Sequence, residues 1–253
     1  MSNQDKIFLN ALIRKKQPTK ILELGVSKGG SSIIILNAIK NRKNAELFSL
    51  DYCTMHYKIK DKKTGFYVDN YPELKSKWNL HTGGLALNFL DKISSSTKEN
   101  EKFDFCFIDT AHCLPGEILD VLQILPYLKQ NATLVLHDTN LQLNKSCNVN
   151  RKMYFVNNIL LSALQGQKLI PSPLPYESNF GYFFNNIAAI ELNIEKQFNC
   201  IYDIFNLLTL RWQYLPSTSD IKQLMNHLNR FYNNYYSEYF KHVVKMQMEM
   251  YQF

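Results

Sequence analysis

Residues 20–31, KILELGVSKGGS, pass from a short apolar run into a glycine-rich turn and on into a segment of helical period. Lys20–Leu24 reads as a buried strand and Ser31–Lys40 as a helix, because four to six apolar residues bounded by a turn suit a strand, and spacing of three and four suits a helix. The same change of period recurs downstream. Further strands are expected at Glu46–Leu50, Trp78–His81, Phe103–Ile108 and Thr133–Leu136. Helices are expected at 70–78, Ala86–Ile93 and Glu117–Leu128, with an amphipathic helix over 4–16 leading in. Strands separated by helices of this length make right-handed βαβ units, and these predict a doubly wound, mostly parallel α/β sheet covered on both faces.

Beyond residue 150 the pattern changes. Residues 153–165 read as helical, Phe180–Phe184 as a late antiparallel strand, and the chain from about 197 onward as an aromatic-rich helical extension. The expected division is therefore a sheet domain over 1–190 and a helical C-terminal extension over 191–253. Tyr232, Tyr236 and Phe240 share one helical stripe, as do Tyr235 and Tyr239. Such a stripe belongs to a core, to a homodimer contact or to the cover of an acceptor pocket.

Composition narrows the class. The chain has 253 residues, of which 45% are hydrophobic and 20% charged, which excludes a disordered, collagenous or coiled-coil chain. No apolar run reaches the roughly 18 residues of a membrane span. The first residues lack the apolar core and cleavage site of a secretory signal. Cys53, Cys106, Cys113, Cys147 and Cys200 show no C-x-x-C spacing, which speaks against a disulfide framework or zinc ribbon and for a reducing, cytoplasmic setting. The net charge of +7 favours anionic partners, and the densest basic run, Lys58–Lys63, is a solvated loop or a binding patch.

Ligands of an open parallel sheet sit beyond the C-terminal ends of its strands. Glu23, Gly25, Ser27, Gly29, Gly30 and Ser31 follow or close the first strand. Their spacing is not the G-x-G-x-x-G of a dinucleotide site, since Ser27 stands at the middle glycine. Nor is it a P-loop, since Lys28 precedes the last two glycines. Asp51 ends the second strand 26 residues after Gly25, placed to accept the hydroxyls of a ribose or to cap a helix. Asp109 with His112 ends the fourth strand, and His137, Asp138, Thr139 and Asn140 end the fifth. Two adjacent strand ends thus offer carboxylates and histidines, for chemistry or for helix capping.

The segments ILELGVSKGGSS, LFSLDY, TGG, FDFCFIDTAH and ATLVLHDTN, in this order and spacing, resemble class I S-adenosylmethionine-dependent methyltransferases over about residues 18–145. Within that class the chain is most similar to the catechol, caffeoyl-CoA and macrocin O-methyltransferases. The resemblance implies a seven-stranded Rossmann-like sheet and S-adenosyl-L-methionine as cofactor. It implies that Glu23, Gly25, Ser27 and Ser31, with Gly29 in the same turn, surround the methionine part. Asp51 then takes the ribose, Gly83 and Gly84 the adenine side, and Asp109 borders both the cofactor and the reacting centre. His112 stands at the position of the family's general base. Asp109 and Asp138 match acids that hold Mg²⁺ or another divalent cation. The family's Asn after the second acid is here Thr139, which leaves Asn140, one place on, as the amide candidate. His137 points to the opposite side from Asp138 if the strand stays extended.

The resemblance further implies a methyl acceptor that is a small molecule, a sugar or a sugar nucleotide. The transfer would go to a hydroxyl or phosphate-like oxygen, in a pathway such as bacterial capsule or surface-glycan synthesis, including phosphoramidate-type decoration. The loop 52–72, with its lysines and tyrosines, is the candidate lid for a sugar or phosphorylated acceptor. The D/N/S-P-P-Y/F string of DNA amino-methyltransferases is missing after the fourth strand. Charge alone keeps an RNA methyltransferase as the alternative, beside a non-catalytic cofactor-binding module.

Overall fold

The computed structural model describes residues 1–96, 102–141, 155–171 and 186–251. In chain order these form α1 (Asn3–Lys16), β1 (Lys20–Leu24), α2 (Gly30–Ile39), β2 (Glu46–Asp51), β3 (Trp78–Thr82), α3 (Leu87–Ser96), β4 (Phe103–Ile108), α4 (Gly116–Ile124) and β5 (Leu128–His137). There follow α5 (Val156–Ala163), β6 (Gly166–Leu169), β7 (Ile187–Leu192), α6 (Ile194–Asn199), α7 (Ile201–Leu207), α8 (Thr218–Tyr232) and α9 (Asn234–Tyr251). The strands make one seven-stranded sheet of order β3-β2-β1-β4-β5-β7-β6. The first five run parallel, and β7 is antiparallel to both β5 and β6. Strand order reverses between β1 and β4, so a crevice opens beyond their C-terminal ends.

Alternation along the central strands feeds two cores. Leu22, Leu24, Cys106, Ile108, Leu134 and Leu136 face one side, where α3, α4, α5 and the C-terminal helices cover them. Ile21, Phe105, Phe107 and Val135 face the other, against α1 and α2. Strands buried on both faces show no regular polar alternation, which is why Phe105–Ile108 of β4 reads as an unbroken apolar run.

The expected helix over 70–78 is instead two 3₁₀ turns, Phe66–Asn70 and Pro72–Lys77, because the chain breaks at Tyr71, held by Pro72 in a non-helical conformation. The helix expected to reach 128 ends at Ile124, and β5 begins at Leu128. The late strand expected at Phe180–Phe184 lies outside the described residues; the antiparallel strand that is described is Ile187–Leu192.

The C-terminal helices share the core of the sheet. Phe205, Trp212, Tyr232 and Phe240 belong to the same buried cluster as Leu134 and Leu136. Tyr236 stacks on Phe205 with ring centroids 4.4 Å apart. The aromatic stripe is therefore core, except for Tyr235, which is 60% exposed. Asp91 of α3 accepts from Tyr127 Oη and pairs with Arg230 of α8, each at 2.6 Å. No helix among the described residues is long and apolar enough to cross a membrane.

Trp212 is 1% exposed, and its indole N–H donates to the Leu208 carbonyl at 2.8 Å. Trp212→Ala should cost about 3–5 kcal/mol of unfolding free energy, measured by urea titration. A loss under about 1 kcal/mol would mean that the C-terminal helices are not part of the common core.

Candidate active site

The turn after β1 is set by close backbone approach. Gly25 has φ +84°, and a Cβ there would lie 2.0 Å from the Asp109 carbonyl oxygen. Asp51 Oδ2 accepts from the N–H groups of Val26 (2.8 Å) and Ser27 (3.0 Å), while its Oδ1 accepts from Cys53 N–H at 2.8 Å. Beneath the turn, Glu23 is fully buried and takes three hydroxyl hydrogen bonds: from Ser31 (2.5 Å), Ser32 (2.7 Å) and Ser49 (2.5 Å). Trp78 Nε1 donates in turn to Ser49 Oγ at 2.8 Å. Burial pushes the Glu23 carboxyl up to about 7; the serine hydroxyls oppose this and the charge of Asp109 adds to it.

A cavity of about 760 Å³ opens over these strand ends, within the size range of cofactor and small-ligand sites. Gly25, Val26, Ser27, Asp51, Gly84 and Asp109 form its floor, with His112 at one side. Tyr52 to Thr64 supply one wall, and Tyr214, Pro216, Ser217 and Asp220 supply another. The first wall is a flap closed by the Met55–Lys63 bridge and by Thr64 Oγ1 donating to the Cys53 carbonyl at 2.6 Å. His56 Nδ1 accepts from Lys58 and Ile59 N–H at 3.1 and 2.9 Å, so Nε2 carries the proton and donates to Ser27 Oγ at 3.3 Å. Gly65 N–H donates to the Ser27 carbonyl at 2.8 Å, which fastens the flap to the glycine turn. Tyr52 Oη donates to Asp220 Oδ2 at 3.2 Å and joins the two walls.

At the ends of β4 and β5, acids and imidazoles gather. His112 Nε2 lies 3.0 Å from Asp138 Oδ2 and 3.4 Å from Asp109 Oδ1, and its Nδ1 lies 3.3 Å from Glu117 Oε1. Burial alone would lower the His112 pKa, but hydrogen bonds to Asp138 and Glu117 and the charges of Asp138 and Asp109 push it up to about 10. Asp138 is held well below the usual carboxylate range, since both histidines outweigh its burial. His137 Nδ1 stands 3.2 Å from Asp109 Oδ1 and 3.2 Å from Asp138 Oδ1. Asp109, His137 and Asp138 each offer one donor atom within 4.8 Å of the others, a set of two oxygens and one nitrogen that suits a divalent cation.

A family model described as a methyltransferase domain matches residues 22–139, the stretch that carries every strand end just described from β1 to β5. Over these residues, a little under half of its length, the chain is similar to a methyltransferase domain. A comparison with curated proteins returns no match. Among solved structures the chain is similar to the O-methyltransferase from Bacillus cereus in complex with SAH, with 18% identity, 76% of this chain and 82% of that chain covered, and a TM-score of 0.52. It is also similar to the O-methyltransferase TomG from Streptomyces achromogenes, involved in tomaymycin synthesis and solved with SAM. Here identity is 16%, coverage 76% of this chain and 81% of that chain, and the TM-score 0.54. At these identities the likeness speaks for the fold.

Of the residues expected to serve a methyltransferase, Gly25, Ser27, Asp51, Gly84, Asp109 and His112 line this cavity. Gly83 borders the shallower recess beside it. Glu23 and Ser31 do not reach the cavity; they bond to each other beneath the turn. Gly29, at φ +93°, caps α2 against Gly65 and Val68. At Asn140, the side-chain oxygen accepts from Asn158 Nδ2 at 3.4 Å, and the N–H donates to Asn186 Oδ1 at 2.9 Å, while Asn186 Nδ2 donates to Asp138 Oδ1. His137 and Asp138 do not point to the opposite sides expected of a strand that stays extended. Asp138 adopts φ +56°, so the chain does not stay extended there and His137 Nδ1 meets both Asp109 and Asp138. Sequence reasoning also missed Asp5, whose Oδ2 lies 3.4 Å from His137 Nε2, and the wall residues Tyr214 and Asp220.

Glu23 makes a pH prediction. Its folded pKa of about 7 lies above the ordinary 4.5, so the native state binds this proton more tightly than the unfolded state does. The stability it contributes is present below pH 4.5 and is lost as pH rises through about 7. From pH 4.5 to 7.5, urea titrations should show wild type losing about 3 kcal/mol relative to Glu23→Gln. Parallel pH profiles would show that Glu23 is not perturbed.

Proposed function

We propose that the chain transfers the methyl group of S-adenosylmethionine to an oxygen of a small-molecule acceptor, with His112 as the base. The observation that carries this reading is the position of His112: at the side of the cavity floored by Gly25 and Asp51, with Nε2 3.0 Å from Asp138 and 3.4 Å from Asp109. The solved O-methyltransferases of like fold support oxygen as the acceptor atom.

The bound cofactor supplies an already activated methyl group. What remains for the protein is alignment and proton removal, worth roughly 7–11 kcal/mol and about 10² to 10⁴ in rate respectively. Asp51 and the Val26–Ser27 N–H groups form one polar rim for the ribose side, and Gly84 leaves room beside it. His112 accepts the acceptor's proton at Nε2, the nitrogen that faces Asp109 and Asp138. It can do so only when these acids are not holding a proton there, which is why a divalent cation on Asp109 and Asp138 belongs to the reading. Such a cation would lower the pKa of an acceptor hydroxyl. The exposed tyrosines 52 and 57 and the lysines 58–63 at the flap favour a sugar or phosphorylated acceptor, as in capsule or surface-glycan synthesis.

S-adenosylhomocysteine at 100 times its dissociation constant should stabilise the protein by about 2.7 kcal/mol, read as a thermal shift. Asp51→Asn should weaken that binding at least about tenfold by calorimetry, in keeping with the loss of a charged acceptor. Unchanged affinity would confine Asp51 to holding the turn. His112→Ala should slow methyl transfer by roughly 10² to 10⁴ with cofactor affinity retained. Wild-type turnover in that variant would defeat the assignment of the base.

A further inference from the structure

We propose that His137 is the third protein ligand of the cation at this site, that Asp5 orients it, and that the resulting donor set favours Mn²⁺ over Mg²⁺. The inference rests on the reading of Asp109 and Asp138 as cation ligands and extends it to two residues from other parts of the chain.

The imidazole is built into the place. His137 is 4% exposed, Asn157 Nδ2 donates to its carbonyl at 2.7 Å, and its ring lies 6.3 Å from that of Phe107. Its Nδ1 stands 3.2 Å from one oxygen of each acid. Ligand atoms about 2.1 Å from a common cation are about 3.0 Å apart when they neighbour each other in an octahedron, so His137 Nδ1 stands at the spacing of a neighbouring ligand from each acid, and the two acid oxygens lie within 4.8 Å of each other. The Asn140 side-chain oxygen accepts from Asn158 Nδ2 at 3.4 Å, and the amide that reaches the acids is that of Asn186, which donates to Asp138 Oδ1.

The far side of the ring has its own partner. Asp5 Oδ2 lies 3.4 Å from His137 Nε2, and Asp5 is 1% exposed although it sits in the first turn of α1. A reciprocal cap fixes the carboxylate: Ser2 N–H donates to Asp5 Oδ2 at 2.7 Å, and Asp5 N–H donates to Ser2 Oγ at 3.1 Å. Asp5 Oδ1 is buried without a hydrogen-bond partner. A carboxylate on Nε2 keeps the proton on that nitrogen and turns the Nδ1 lone pair toward Asp109 and Asp138, the arrangement by which carboxylates orient metal-bound histidines. A lone pair facing two carboxylates needs positive charge between them. A proton on Nδ1 would meet that need as well as a cation, and the experiment separates the two. Imidazole nitrogen raises affinity along the transition-metal series, whereas Mg²⁺ prefers an all-oxygen set.

The test is calorimetric titration of the full chain with MnCl₂ and MgCl₂, together with pulsed electron paramagnetic resonance of the Mn²⁺-loaded protein. Mn²⁺ should bind at least about tenfold more tightly than Mg²⁺, and the spectrum should show coupling to a ¹⁴N nucleus. His137→Gln should abolish that coupling, and His112→Ala should keep it. Asp5→Asn preserves the helix cap and should weaken Mn²⁺ binding about 10- to 100-fold. S-adenosylhomocysteine binding, measured on each variant, reports whether it is folded. Absent Mn²⁺ binding, equal affinity for both metals, or nitrogen coupling that persists in folded His137→Gln would overturn the proposal. Unchanged Mn²⁺ affinity in Asp5→Asn would overturn the role of Asp5. If His137→Gln does not fold, His112→Ala decides alone: persistent coupling supports His137, and lost coupling overturns it. Should S-adenosylhomocysteine bind while Mn²⁺ does not, this inference falls and the methyl-transfer reading stands.

Discussion

No side chain fits between the turn after β1 and the end of β4. That contact, Gly25 against the Asp109 carbonyl, sets the level at which the central strands stop. Gly25 N–H donates to the Leu50 carbonyl of β2, and Asp109 N–H donates to the Leu24 carbonyl of β1, each at 2.9 Å. Three strand ends are thereby brought to one line, and Gly25, Asp51 and Asp109 at these ends line the same crevice. Glu23 secures the arrangement from below. Its three serine partners come from α2 and β2, and Trp78 of β3 reaches the same group through Ser49, so one buried carboxyl ties three strands and a helix. A buried carboxyl with every partner in place is worth its desolvation only as a complete network.

The acid cluster raises the opposite problem, too much charge of one sign. Asp5, Asp109, Glu117 and Asp138 surround two imidazoles at the C-terminal ends of β4 and β5. Burial would drive both rings to their neutral forms, yet the carboxylates win and hold both His112 and His137 above their ordinary range. A positive charge is therefore demanded at this spot by the carboxylates, and in the proposed reaction what carries it decides whether His112 is free to act as a base. The proposed base and the proposed cation would then form one electrostatic unit, in which altering either changes the other.

Much of this was legible in the sequence where local pattern and tertiary demand agree. The strands from β1 to β5 lie where apolar runs stop at Gly25, Asp51, Thr82, Asp109 and Asp138. The short edge strand β6, GQKL, carries no such pattern, because it has little to bury. For β7, IAAIEL, a run buried on both faces is as compatible with a helix as with a strand. The site divides in the same way. Residues that line the cavity follow from strand ends, but Glu23 and Ser31 sit in the same motif and point beneath it. Alternation did hold the position of His137: Phe107 and Val135 face the α1 side, so Asp109 and His137, two residues on, share that face. The left-handed turn at Asp138 and the arrival of Asp5 from α1 depend on packing across the chain, and nothing local encodes them.

The walls of the cavity differ from its floor in what holds them. The floor is tied by main-chain bonds between strands and by buried side chains. Across the top, the flap and the start of α8 meet through Tyr52 and Asp220, an exposed 3.2 Å hydrogen bond between groups that water can also satisfy. A bond of that kind is worth about 0.5–1.5 kcal/mol at most, far less than the packing of α8, whose Ile221, Leu224 and Leu228 lie in the common core. Parting Tyr52 from Asp220 thus leaves both anchored elements in place: the flap through Ser27, and α8 through its apolar face. Access to the strand ends can be gained there without disturbing the contact between Gly25 and Asp109 on which the site is built.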